Sequence, residues 1–315
     1  MRQQSNLLRA VALAACGGVA WCVGGLGAPV HAAEHSAVAA DLDASLAEAG
    51  SSSRESRQRA MQAIPLDRMP AAHRAAAEAC LRSTTLFRRL PVETVTCDGE
   101  LLDFVLTKPE TLVDVWRVLG ISRLSLDPAG PGQWRLADGY GTVGAVKLLH
   151  RERTAAGGLL VFHGRGGYTG PLSPRRLTGQ CLVVVRHSTI EPDAAGRERQ
   201  AVQIDAFLDV DGLGLEVVTR ALHPLIVHSA ASNLREICLF VSQFSAAAAR
   251  NPAGIARLTA RMPRTEPEDR RALARLAAGN RGTPADSDQP AGGEGLETEL
   301  AARWMPAEQL ERLQR

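Results

Sequence analysis

Residues 200–210 read QAVQIDAFLDV, and their alternation decides the fold class. Val202, Ile204, Ala206, Leu208 and Val210 fall on one face and Gln203, Asp205 and Asp209 on the other, the pattern of a half-buried antiparallel strand. Phe207 is the one large apolar residue on the polar face. The same period of two recurs upstream at residues 123–126, 133–137, 142–151, 158–163 and 179–187, and downstream at 215–221. Turn sequences such as Asp127-Pro128-Ala129-Gly130 and Asp211-Gly212 separate these runs. The spacing predicts a meander of six or seven antiparallel strands, with 192–199 as its most polar connection. From about residue 232 to 250 the period becomes 3.6: Leu234, Ile237, Cys238, Phe240, Val241 and Phe244 share one stripe of a long helix. A further helix to Arg261 follows the break at Asn251-Pro252.

Working back from the sheet, residues 98–120 carry Leu101, Leu102, Phe104, Val105, Leu112, Val113, Val115, Trp116, Val118 and Leu119 at helical spacing. Lys108-Pro109 divides them into two helices and Gly120 closes the second. VETVT at 92–96 reads as a short strand, and the alanine-rich stretch 70–82 as a helix with Pro70 in its first turn. The class is therefore α+β. The order of strand, two helices, antiparallel strands and long closing helix resembles the helix-grip fold of START-like and polyketide-cyclase-like domains, over about residues 88–262 and on element order alone. The resemblance implies a curved sheet packed on the C-terminal helix and a cavity between them for a lipid-like or aromatic ligand. It implies no particular chemistry, because one fold hosts carriers and cyclases alike.

The flanks differ in composition. Residues 1–32 hold Arg2 and Arg9, no acid, the apolar run AVALAACGGVAWCVGGLGA at 10–28 and small residues at Val30-His31-Ala32, as a secretory signal peptide does. Leu13-Ala14-Ala15-Cys16-Gly17 also resembles a lipobox, with lipid anchoring through Cys16 as the alternative. The chain's formal charge of +2 belongs to this leader; the rest holds 34 basic and 34 acidic groups, a balance that argues against a nucleic-acid-binding surface. Residues 33–69 read as a flexible or helical spacer, 70–262 as one domain, 263–295 as a disordered linker and 296–315 as a short amphipathic helix able to dock on the body or recruit a protein partner. The expected location is periplasmic or extracellular, with no transmembrane span once the leader is removed.

Cys80, Cys97, Cys181 and Cys238 remain after the leader, an even number suited to disulfides in an oxidising compartment. Three pairings are open, and four reduced, buried thiols are the other reading. For a ligand pocket the mouth falls where the last strand turns at Pro224, with Leu222, His223, Leu225, Ile226, His228, Asn233, Ile237 and Val241 as lining. A closed core is the competing expectation. His150, His163, His187 and His223 fall near the ends of different strands and form the best available set for a metal or general-base site. HGRGGYTG at 163–170 reads as a glycine-rich hairpin or bulge rather than a phosphate cradle, DAFLDVDG at 205–212 as a strand and turn rather than a calcium loop, and Arg175-Arg176 as a loop tip. No nucleophile motif, metal set or cofactor fingerprint is present. The expectation is an exported, non-enzymatic domain that binds an apolar small molecule or lipid, or an envelope interaction module. The alternative is a secreted enzyme using the strand-end histidines.

Overall fold

A computed structural model describes residues 50–169, 177–211, 215–279 and 295–305, with backbone only at 211 and 215–229. The leader with Cys16, the first part of the spacer, Arg175-Arg176, Gly212, residues 280–294 and 306–315 lie outside it, as do the side chains of Leu222, His223, Leu225, Ile226 and His228.

Two helices open the structure, α1 (Arg54–Gln62) and α2 (Ala71–Ser83), with a 3-10 turn at Leu66–Arg68 between them. Ser53 caps α1 by accepting the Ser56 N–H, so the end of the spacer is helical, and Ala60, Ile64 and Met69 are buried. Strands β1 (Leu86–Arg89) and β2 (Glu93–Thr96) follow, then α3 (Gly99–Thr107) and α4 (Pro109–Val118), divided at Lys108-Pro109. Gly120, at φ +72°, ends this pair. Strands β3 (Ser125–Gly130), β4 (Gln133–Ala137), β5 (Thr142–Thr154), β6 (Gly157–Tyr168), β7 (Leu177–Ile190) and β8 (Arg199–Asp211) form the meander. Helices α5 (Leu215–Arg250), α6 (Pro252–Ala260), α7 (Pro267–Ala278) and α8 (Leu296–Ala301) complete the order.

All eight strands join one curved, open antiparallel sheet in the order β1-β8-β7-β6-β5-β4-β3, and β2 lies end to end with β1 along the outer edge of β8. The class is α+β, helix-grip-like: one face of the sheet packs on α5 through a cluster that includes Leu160, Phe162, Val183 and Ile204 from the sheet and Leu234, Val241 and Phe244 from the helix. Burying each such side chain contributes about 1.5 to 3 kcal/mol. No helix among the described residues is long and apolar enough to cross a membrane.

Five features depart from the sequence expectation. The run 215–221 is not a seventh meander strand; it begins α5, which continues through Pro224. Leu215, Val218, Leu222 and Leu225 also recur at three- and four-residue spacing, so the pattern fits either period and tertiary context chooses. Asp127–Gly130 is strand rather than turn, and the hairpin turns at Pro131-Gly132 after a register shift; Pro128 is tolerated because β3 is an edge strand. Gly164, Gly166 and Gly167 of HGRGGYTG form neither a turn nor a bulge. They extend β6 to Tyr168 in mid-sheet, where a Cβ at Gly166 would stand 2.7 Å from the Val143 carbonyl. Within the expected linker, α7 is ordered by burial of Leu273 and Ala277. Finally, the polar face of β8 is not open to water. Helices α1 and α2 cover it with a second cluster of Leu81, Phe87, Leu149, Val161, Leu182, Val184 and Phe207, in which Phe87 and Phe207 lie with ring centroids 5.0 Å apart.

The C-terminal segment docks on the body. Leu296, Leu300 and Ala301 are buried against the first cluster, Arg303 makes two 2.7 Å bonds to Glu236 of α5, and the Trp304 indole N–H donates to the same carboxylate at 3.1 Å. Arg250 with Glu299 and Arg261 with Glu297 add ion pairs at its rim.

Candidate functional site

The described strand-end histidines do not come together, and most of the expected pocket lies outside the described residues. Of the eight pocket residues expected near Pro224, Ile237 and Val241 pack in the first cluster, Asn233 belongs to the body of α5 rather than a strand-to-helix turn, and the other five side chains are outside the described set. Alternation along β6 and β7 sends His163 to the same face as Val161, in the second cluster, and His187 to the same face as Val185, in the first. These two histidines therefore lie on opposite sides of the sheet. His150 Nε2 meets Glu152 Oε1 at 2.9 Å, an oxygen that also accepts from Arg68 at 3.0 Å, and His163 Nε2 meets Gln180 Oε1 at 3.1 Å. No shared histidine site forms among the described residues. Asp205 is held by arginines: it accepts from Arg89 Nε at 2.8 Å and from Arg186 Nη2 at 2.6 Å.

The cysteines are buried and free. Cys80 sits in the second cluster and Cys97, Cys181 and Cys238 in the first, so the sheet separates Cys80 from the other three. No disulfide joins any of the four in this structure. Burial pushes the Cys80 and Cys181 thiols up to about 12 and raises Cys97 and Cys238 further in the same direction. Folded protein at pH 7.5 is expected to take up no maleimide at these four positions and full label at all four after unfolding without reductant. Peptide mass spectrometry checks both halves; label blocked after unfolding would show disulfides.

What the structure does assemble is a cleft around His187. This residue is 3% exposed, and neither Nδ1 nor Nε2 has a hydrogen-bond partner among the described residues. A buried polar atom left so costs about 1 to 3 kcal/mol unless a group from outside the chain bonds it. Burial pulls the imidazole down to about 4; Asp103 works against that shift, and Arg151 and Arg153 add to it. The ring is thus neutral at pH 7, with one donor and one acceptor nitrogen.

Register explains the room. In the row across the sheet, His187 pairs with Gly158, which pairs in turn with Arg153. A Cβ on Gly158 would lie 2.7 Å from His187 Nε2 and 2.8 Å from the Glu152 carbonyl, and one on Gly157, at φ +151°, 2.1 Å from the His187 carbonyl. Glycines at the β5–β6 turn therefore permit the imidazole to lie there.

On the face of α3 and α7, His187 lines a polar cleft of about 530 Å3 with Asp98, Gly99, Glu100, Arg153, Thr189, Glu198 and Arg275 among its walls. A neighbouring cleft of about 290 Å3, reached from the 62–68 segment, shares His187 and includes Ser188, whose buried hydroxyl has no partner among the described residues either. The larger cleft is built firmly. Asp98 caps α3 by accepting the Glu100 N–H at 2.8 Å, and Glu198 Oε1 accepts from the Gly99 N–H at 3.0 Å and from Gln200 Nε2 at 2.6 Å. Behind it, Asp103 binds Arg151 at 2.8 and 2.6 Å and Arg153 at 3.1 Å. No cysteine, serine or carboxylate among the described residues is hydrogen-bonded to His187.

His187 was one of four histidines legible as strand ends; its distinction came from Gly157-Gly158, which the sequence shows but cannot place opposite it. Compared with known proteins, the chain matches no family model and no curated relative.

Proposed function

We propose that this chain is an exported, non-enzymatic binding domain that takes a small polar molecule in the His187 cleft. The observation that carries this reading is a buried imidazole, both nitrogens unpartnered among the described residues, at a cleft of about 530 Å3, within the size range of small-molecule sites. Export is supported by the leader-like composition of residues 1–32. An apolar ligand is less well supported than the sequence suggested, because the sheet face and the α5 stripe that it would part pack into one cluster.

His187→Leu supplies the test. Leucine removes two unsatisfied nitrogens at similar volume, so the variant is expected to fold with stability equal to wild type or up to about 2 kcal/mol greater, while losing the ligand. Native mass spectrometry of both proteins, purified from the source cells, is expected to show a small polar adduct on wild type alone. A lipid retained by both proteins, or identical spectra, overturns the proposal.

A further inference from the structure

The charges around the cleft narrow its ligand class, an inference that rests on the binding reading above. Acids come from one set of elements: Asp98 and Glu100 from the start of α3, and Glu198 from the residue before β8. Cations come from another: Arg153 from the β5 end and Arg275 from the last turn of α7. Several of these groups are already engaged. Asp98 is occupied as a cap, Arg153 is shared with Asp103, and Glu198 spends Oε1 on Gly99 and Gln200. Glu198 Oε2, the Glu100 carboxylate and the Arg275 guanidinium have no hydrogen bond or ion pair among the described residues.

A ligand seated here covers charges of both signs. A neutral polyol would desolvate Arg275 and the acids without replacing their water by a counter-charge, a monoanion would meet three carboxylates, and a monocation would meet two guanidiniums. A molecule with one cationic and one anionic end answers both sets, and the neutral imidazole at the floor bonds either end, accepting from an ammonium or donating to a carboxylate. We infer that the His187 cleft binds a small zwitterion, of the class of a free amino acid or short peptide, with its carboxylate toward Arg275 and its ammonium toward Glu100 and Glu198.

Isothermal titration of the full chain with the twenty common amino acids and a set of dipeptides, each also as its N-acetyl and its C-terminal amide form, tests this. Free zwitterions are expected to bind, and capping either end to weaken binding by about tenfold or more. Arg275→Gln is expected to abolish discrimination against the amide forms only, and the Glu100→Gln, Glu198→Gln double variant discrimination against the N-acetyl forms only. Equal binding of capped and free forms overturns the inference while leaving the cleft as a binding site. So does a copurifying adduct, lost in His187→Leu, with no response to any zwitterion. If wild type neither binds the panel nor carries an adduct, the inference and the binding reading fall together.

Discussion

Asp205→Asn is expected to destabilise the protein by about 3 to 5 kcal/mol, read as a lowered urea midpoint at unchanged slope. Asp205 is fully buried beneath α1 and α2 and binds two arginines that are themselves buried. Arg89 stands opposite it in register on β1 and donates through Nε and Nη2 at 2.8 and 3.1 Å; Arg186 of β7 donates through Nη2 at 2.6 Å and through Nη1 to Gln203 at 3.0 Å. One carboxylate thus ties three adjacent strands. Asparagine keeps its shape but not its charge, leaving two guanidiniums out of water without the anion they share. Replacing the whole set, Asp205→Leu with Arg89→Met and Arg186→Met, is expected to recover most of the loss, because the cost lies in breaking a buried ion set rather than in lacking one. A loss below about 1 kcal/mol for Asp205→Asn would mean that water reaches this site.

The same residues show how far the sequence could be read. The alternation in QAVQIDAFLDV gave the strand and its inner face, and Lys108-Pro109, Gly120 and Asn251-Pro252 placed helix ends, since these signals act through local backbone chemistry. Assigning Gln203 and Asp205 to solvent failed because binary pattern equates polar with wet, whereas a polar group is stable inside once paired, and its partners lie far along the chain at Arg89 and Arg186. Phe207 on the supposedly wet face was the clue: an aromatic there needs a cover, which α1 and α2 supply. Strand β1, four residues long, is too short for its period to be seen, and the start of α5 is masked in the sequence by Pro224 and by β-branched residues that also fit a strand. The cleft was least legible of all, since it depends on register across β5, β6 and β7.

Between pH 7 and 4.5, wild type is expected to lose about 2 kcal/mol more stability than His187→Leu, measured by urea unfolding at each pH. His187 titrates near 4 when folded and near 6.5 when unfolded, so the unfolded chain takes up the proton first. The stability from the neutral imidazole is therefore complete above about pH 6.5 and is lost as pH falls through 6.5 toward 4. Burial is the main cause. Asp103 is the nearby acid that opposes it, but its carboxylate is already committed to Arg151 and Arg153, whose charges also repel a second cation. Asp98, Glu100 and Glu198 line the same cleft, with Arg275 as a further cation. Glu110, raised by burial against the opposing hydrogen bond from the Trp134 indole, shifts stability in the opposite direction, but equally in both proteins, so it cancels in the difference. Parallel pH profiles for the two proteins would mean that the ring gains a counter-ion on protonation, and the cleft would then hold an acid closer to His187 than this geometry places one.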